Sequence, residues 1–433
     1  MRIKFACAVT LAAAVAMATA CSKKSESEAG AGASAVVAAS MADAGASSGA
    51  SAVGGASNEN AASGTNVASA ASATAPAGNA TTVRIGHVAP LTGPLAALGQ
   101  DNENGARLAI EEISAQGLTI DGHVIHLELD AQDDVADPKK GIEAAQKLVD
   151  DHVVAVIGHL NSGVSIPASK IYSDANVAQI SGSTTSPDYT KQGFKTTFRL
   201  VSTDAQQGPV LAGYALKTLR ARKIAIVDDS SVYGRGLANE FAKAVEAGGV
   251  KVADHETTTE KARDFKAILR KLKREQPDVV MFAGMDATGG GFVKQAAALG
   301  LKAKILGGDG MCTAEVAALA GAAVQDLTCS EVGVDLSKLD KGGDFDQKYQ
   351  ARFKAPVQSY APFTYDAVYV IVDAMKRANS VDAPKVLTAI ATTDYNGLTG
   401  HIAFDDKGDL KGSAITLVGF KDNKKNVIDV VTP

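Results

Sequence analysis

Two loops of this 433-residue chain carry hydroxyls in a pattern that can hold an anion. Gly158-His159-Leu160-Asn161-Ser162-Gly163 follows an apolar run and precedes a helical stretch. Ser181-Gly182-Ser183-Thr184-Thr185-Ser186-Pro187 follows the next short apolar segment, at Ile180. Each loop offers hydroxyls and free backbone N–H groups at the start of a helix, which suits a carboxylate. Ser and Thr also cap helices with no ligand involved, and either loop alone is explained that way. Two such loops in succession favour the anion. Asp309, in Gly307-Gly308-Asp309-Gly310, brings the opposite sign. Its carboxylate can pair with an ammonium, and a closed cleft strengthens that pairing. A turn aspartate between glycines is the plainer reading.

Strands must place those loops. Residues 83–88 read as a strand, followed by the turn Pro90-Leu91-Thr92-Gly93-Pro94. Ala106, Ala109, Ile110 and Ile113 then recur at helical spacing. Residues 124–129 alternate as a second strand, with His123 and His126 flanking it. Asp137-Pro138 opens a helix to about residue 150, with Pro tolerated in the first turn. Residues 153–157 are continuously apolar, as in a buried parallel strand. The same grammar restarts near Lys223: a strand at 223–227, a loop at 228–236 containing Tyr233, then a helix marked by Leu237, Phe241, Ala244 and Val245. Phe265, Ile268, Leu269 and Leu272 mark another helix, and 279–282 and 304–306 are short apolar strands. Alternating strands and helices imply an α/β fold with two similar lobes, each a doubly wound parallel sheet. Ligands of such sheets sit beyond the carboxyl ends of the strands, where these loops lie.

The N-terminus reads as an export device. Arg2 and Lys4 precede an uncharged apolar run over 5–20, too short for a span of about 20 residues and ending in small residues before Cys21. Residues 1–20 are therefore expected to be a signal peptide. Ala18-Thr19-Ala20-Cys21 resembles a bacterial lipobox, with Ala18 where Leu is usual. Cys21 is the expected lipidation site, since a free thiol is a liability in an oxidising compartment; the alternative is an ordinary signal peptide cut nearby. Ser22 permits sorting to the outer membrane of a Gram-negative envelope. Residues 21–80 are Ala, Gly, Ser, Thr and Asn with few apolar anchors, the composition of a disordered linker. Forty-three Lys and Arg against 48 Asp and Glu give a net charge of −5, which argues against a nucleic-acid partner. Cys312 and Cys329 are the only cysteines of the folded region, and an even pair in an exported protein implies a disulfide. That bridge would brace the loop of Asp309.

From Val83 onward the chain resembles the branched-chain amino-acid-binding proteins, the periplasmic receptors of ABC importers. The landmarks are Pro90-Leu91-Thr92-Gly93-Pro94, Asn104-Gly105-Ala106-Arg107, Asp133-Asp134, Val156-Ile157-Gly158-His159-Leu160, Tyr233-Gly234 and Asp406-Lys407-Gly408-Asp409-Leu410-Lys411-Gly412, all in family order. The resemblance implies a type I periplasmic-binding-protein fold with three crossovers: a first lobe of 81–203 and 334–404, and a second of 204–333 and 405–433. It implies Ser162 on the ligand carboxylate, Ser183 offering backbone contacts, Thr184 beside them, Thr185 on both carboxylate and ammonium, Asp309 on the ammonium and Tyr233 near the cleft mouth. Met285 stands where leucine-type members carry an aromatic residue. Asp286 either adds a second charge to the cleft or caps the next helix, the reading adopted here. The family's first-lobe disulfide is missing at both ends, at Ala136 and Asn161.

The implied protein is a monomeric, cofactor-free solute-binding protein that delivers a small aliphatic amino acid to a permease and ATPase complex. Dehydrogenase chemistry would need Gly-x-Gly-x-x-Gly after the first strand, which is absent. No Walker loop, His-Glu-x-x-His or Gly-x-Ser-x-Gly occurs, and the seven histidines lack metal-ligand spacing. A sensory module for an amide, urea or aromatic acid is the alternative.

Overall fold

The computed structural model describes residues 80–432. The signal segment, Cys21 and the tether up to residue 79 lie outside the described residues.

Alternating apolar runs and amphipathic helices build two sheets. The first takes β1 (Thr81–Ala89), β2 (Leu118–Ile120), β3 (His123–Asp133), β4 (Ala155–Gly158), β5 (Ala178–Ser181) and β6 (Thr197–Arg199) in the order β2-β3-β1-β4-β5-β6. Its helices are α1 (Ala96–Gln116), α2 (Pro138–Asp150), α3 (Ser162–Asp174) and the short α4 (Asp188–Lys191). Asp137 accepts from Lys139 and Lys140 N–H to cap α2, with Pro138 at its first position. The second sheet begins after α5 (Asp204–Gly213) with β7 (Ile224–Asp228), α6 (Val232–Ala247), β8 (Val252–Thr257), α7 (Lys266–Glu275), β9 (Val279–Ala283), α8 (Asp286–Ala298), β10 (Lys304–Gly307), α9 (Ala314–Ala320) and β11 (Leu327–Glu331). The chain then returns to the first lobe for α10 (Gly342–Phe353), α11 (Ala361–Ala378), α12 (Ala383–Ile390) and the hairpin β12 (Asp394–Asn396) and β13 (His401–Ala403). It ends as β14 (Ile415–Lys421) and β15 (Lys424–Val431) on the second sheet, ordered β15-β14-β11-β10-β9-β7-β8.

Three differences from the sequence reading have clear physical causes. Both sheets are mixed at an edge: β2 runs antiparallel to β3, and β14 and β15 are antiparallel additions. Short hairpin turns at Asp121-Gly122 and Asp422-Asn423 join β2 to β3 and β14 to β15, whereas β14 returns to pair with β11 after the first-lobe helices. His123 and His126 lie within β3 rather than beside it: both side chains are exposed, with buried Ile125 and Leu127 on the other face of the strand beside His126. Tyr233 lies in the first turn of α6, not in a loop: Ser231 accepts from Gly234 N–H and starts the helix early.

Each sheet reverses its winding at its first strand. β1 lies between β3 and β4, and β7 between β8 and β9. The loops after β4 and β9 therefore leave their sheets at switch points, where ligand crevices form. Close helix approaches hold these ends rigid. A side chain on Gly105 of α1 would strike the Ala361 carbonyl of α11, and one on Gly208 of α5 would reach 2.7 Å from the α6 backbone at Phe241.

Arg199 is the largest fully buried side chain and ties three segments together. Its Nε bonds Asp409 Oδ1 at 2.6 Å, and its terminal nitrogens donate to Thr184 O at 2.7 Å and Ser186 O at 2.9 Å. The guanidinium also lies 5.3 Å from the Tyr189 ring centroid. One cation thus fastens the 405–412 turn to the hydroxyl loop of β5. Arg199→Ala should reduce the unfolding free energy by roughly 3 kcal/mol, the order expected when a buried pair loses one partner. Urea denaturation measures it, and a loss under about 1 kcal/mol, typical of a surface pair, would contradict this role.

Candidate functional site

The ends of β4 and β5 supply one wall of a cleft. Ser162 is the first residue of α3, and its Oγ accepts from Ser186 N–H at 3.3 Å, leaving its proton free to donate. Asn161 precedes the helix without a side-chain cap bond, and its Oδ1 is buried without a partner. Ser183 donates to Leu160 O at 3.2 Å, and its N–H donates to Ser181 Oγ at 3.3 Å. Thr184 is fully buried with its hydroxyl 2.6 Å from Ser165 Oγ and 3.2 Å from His159 O. The Thr184 side chain is thus committed to framework and turned from the cleft. Thr185 differs from both: its Oγ1 is buried and has no hydrogen-bond partner among protein atoms.

The opposite wall comes from β7, β9 and β10. Asp309 follows β10 and is buried. Its Oδ1 accepts from Tyr233 OH at 2.8 Å and Gln207 Nε2 at 3.0 Å, and its Oδ2 accepts from Tyr360 OH at 2.8 Å. Burial pushes its pKa up, against the pull of those three donors. Tyr233 also accepts from Gly310 N–H at 3.2 Å, which packs the tyrosine onto the Asp309 turn. Met285 is the residue before α8, and a side chain on Gly310 would come 2.7 Å from its Sδ. Cys312 and Cys329 are joined, with Cα atoms 5.5 Å apart, linking the turn after Asp309 to β11.

Asp286 follows the N-cap position, which Met285 holds, but its Oδ1 accepts from Ala287 N–H at 2.7 Å in the first turn of α8. It is the first residue of that helix and is buried, accepting from Thr313 Oγ1 at 2.9 Å. Thr313 in turn caps α9 through Val316 N–H. Burial pushes the Asp286 carboxyl up to about 6.

Four residues of the site were not singled out from sequence. Asp204 opens α5, is fully buried, and has an Oδ2 without a hydrogen-bond partner. Burial, then the charge of Asp309, raises its pKa well above the usual range. Gln207, one turn on, holds Asp309 and accepts from Ser330 Oγ at 2.7 Å. Thr203 and Gln206 form a capping box, and that signature disguises Asp204 as an ordinary first-turn acid. Tyr360 reaches Asp309 from the first lobe, and Asp101 of α1 sets its position. The Asp101 carboxylate accepts from the N–H groups of Gln358, Ser359, Tyr360 and Ala361 at 2.8–3.1 Å. No local pattern announces a contact spanning more than 250 residues.

The two walls touch. Tyr360 bonds Asp309, Ser359 Oγ donates to Cys312 O at 3.1 Å, and Lys425 Nζ donates to Gln358 O at 2.7 Å. The arrangement offers hydroxyls and helix N–H groups from the loops after β4 and β5, Asp309 across from them, and Asp204 beside them, its N–H donating to Thr185 O at 2.9 Å. Among the described residues neither Asp204 nor Asp309 has an ion-pair partner.

A family model described as periplasmic binding protein matches residues 82–425. A Leu/Ile/Val-binding protein homolog 1 of Brucella melitensis is 37% identical over 330 residues, 76% of this chain and 88% of that one. A leucine-, isoleucine-, valine-, threonine- and alanine-binding protein of Pseudomonas aeruginosa is 35% identical over 345 residues, 78% of this chain and 90% of that one. The crystal structure of the branched-chain amino acid transporter substrate-binding protein LivJ of Streptococcus pneumoniae, in complex with isoleucine, superposes with a TM-score of 0.74 at 27% identity. It covers 82% of this chain and 100% of that one.

The unpaired Asp204 charge has a cost in the folded state. Its folded pKa lies above the ordinary 3.8, so it destabilises the native state increasingly as pH rises from 3.8 towards the folded value. Asp204→Asn removes that burden. The ligand-free variant should melt above wild type at neutral pH, with the difference vanishing below about pH 3.8, the ordinary Asp value. Thermal melts across pH measure this; a variant less stable than wild type at pH 7 would contradict it.

Proposed function

The chain belongs to the periplasmic binding protein family, and from that premise we propose that it captures a small aliphatic L-amino acid and delivers it to an ABC importer. The family consists of extracytoplasmic solute-binding proteins, not enzymes. The observation that carries the amino-acid reading is the charge pattern of the cleft. A buried carboxylate without a cation is costly, and a ligand ammonium relieves that cost. Ser162, the Thr185 hydroxyl and the first-turn N–H groups of α3 take the ligand carboxylate. Asp204 and Asp309 take the ammonium, with Thr185 near both groups. Asp204 supplies the open lone pair, because three donors already occupy Asp309. Ser183 lends its loop geometry, while Tyr233 and Tyr360 hold Asp309 in place. Met285 lies beside the ligand side chain and, flexible and polarisable, accepts aliphatic groups of varied shape.

Capture works by closure. A ligand drives closure only by binding the closed state better than the open one. A zwitterion does so here, since its carboxylate meets Ser162 and Thr185 while its ammonium reaches Asp309 across the cleft. The names of the relatives point the same way, to leucine, isoleucine, valine, threonine and alanine. A thermal-shift screen of residues 80–433 should show melting raised by leucine, isoleucine or valine through mass action. Raised melting with an aromatic acid or an amide, and with no amino acid, would overturn the reading.

We also propose that Cys21 carries a lipid anchor and that residues 21–80 tether the binding domain to the envelope. The support is the small-residue run before Cys21 and the Ala/Gly/Ser composition after it. Cys21→Ser should move the full chain from the membrane fraction to the soluble periplasmic fraction. Continued sedimentation with membranes would rule the anchor out.

A further inference from the structure

Behind the hydroxyl wall lies a buried imidazole that does not face the cleft. His159 is wholly buried, with Nδ1 3.0 Å from Asp134 Oδ2 and Nε2 3.1 Å from Tyr172 OH. Asp134 and Tyr172 are also wholly buried. With Tyr172 donating to Nε2, Nδ1 carries the proton and donates to Asp134. Asp134 is fixed in turn: its other oxygen accepts from Ala136 N–H at 2.9 Å, and its own N–H donates to Ala89 O at 3.2 Å. The ring is therefore held from the end of β1, from the lead-in to α2 and from within α3.

The backbone of the same residue serves the binding loops. His159 O lies within hydrogen-bond reach of Ser165 Oγ at 3.0 Å, Ser181 Oγ at 2.9 Å and Thr184 Oγ1 at 3.2 Å. Ser181 Oγ passes the order on by accepting from Thr184 N–H at 2.9 Å and Ser183 N–H at 3.3 Å. One carbonyl thus gathers both loops, the first leading to Ser162 and the second to Thr185. Loss of the ring's two anchors would free the His159 backbone, and both loops bonded to its carbonyl would loosen together.

We propose that His159, oriented by Asp134 and Tyr172, is a positioning residue that sets the spacing of Ser162 and Thr185 and so tunes the site for a carboxylate. Buried polar groups that orient a site from behind act through geometry rather than contact. A second support reaches only one loop: His87 Nε2 bonds Asn102 Oδ1 at 3.0 Å, and Asn102 Nδ2 lies 3.5 Å from Ser183 Oγ. That line does not touch Ser162, so it cannot set the spacing. The ligand side of the proposal rests on the amino-acid reading above; the loop-ordering side does not.

Two variants test it. Tyr172→Phe keeps the ring and the Asp134 bond but frees Nε2, and His159→Phe removes both ring bonds at similar volume. Hydrogen exchange on the ligand-free proteins should show faster exchange in 160–165 and 181–186 together, with the second-lobe strands at wild-type rates. Wild-type rates in both loops, or a uniform rise across the first lobe, would overturn the proposal. Calorimetric titration with L-leucine and L-leucinol, which lacks the carboxylate, adds a second readout. Tyr172→Phe should weaken leucine about tenfold, the scale of outer-shell effects on a bound ligand, and leave leucinol unchanged. Equal loss for both ligands would overturn the carboxylate role. If the wild-type protein binds neither, the amino-acid reading fails, and the exchange data alone decide whether His159 orders the loops.

Discussion

Two buried carboxylates, Asp204 and Asp309, stand in one cleft with no ion-pair partner among the described residues, and much of the surrounding structure answers to that constraint. Asp309 is stabilised by three neutral donors, Tyr233, Tyr360 and Gln207. Asp204 keeps an oxygen with no partner. Such a pair is tolerable only where the fold over-determines it and where a ligand relieves it. The elements that do the over-determining are long-range. Asp101 captures four consecutive N–H groups to aim Tyr360, and the Cys312–Cys329 link braces the turn after Asp309.

The opposite wall follows a different logic. Its loops present hydroxyls and N–H groups, and their precision comes from polar and charged groups placed behind them. Arg199 holds the carbonyls of Thr184 and Ser186, and the Asp134-His159-Tyr172 cluster holds the turn before Ser162. Polar wall and anionic wall then meet across Tyr360 and Ser359. On the proposed reading, a zwitterion turns its carboxylate to Ser162 and Thr185 and its ammonium to Asp204 and Asp309.

Much of this was legible in the sequence where the signal is local. Strand and helix patterning located β1, β3, β4, β7, β9, β10, α1, α2, α6 and α7, since a 2- or 3.6-residue period reports a buried face directly, but passed over the short β2, β6 and β8 and the helices α4 and α5. Loop position after apolar strands picked out Ser162, the 181–187 loop and Asp309 as candidates, and each follows a strand end in the structure. The rest was not legible, for particular reasons. Asp204 sits inside a capping box that explains it away, and Tyr360 acts through a partner 51 residues distant in sequence. Thr184 looks identical to Thr185 in sequence, yet the loop after β5 turns its hydroxyl toward Ser165. Asp286 reads as a cap, but burial and Thr313 give it a framework role.

The most direct test of the central claim compares L-leucine with 4-methylpentanoate, which keeps the carboxylate and side chain but lacks the ammonium. Calorimetric affinities would be measured for wild type and for Asp204→Asn. If the ammonium answers the buried carboxylates, leucine should bind wild type at least about 100-fold more tightly than the des-amino acid, the scale on which a site built for a polar group rejects its absence. Asp204→Asn should then lose most of that preference. Equal affinity of the two compounds for wild type, or an undiminished preference in Asp204→Asn, would contradict the account.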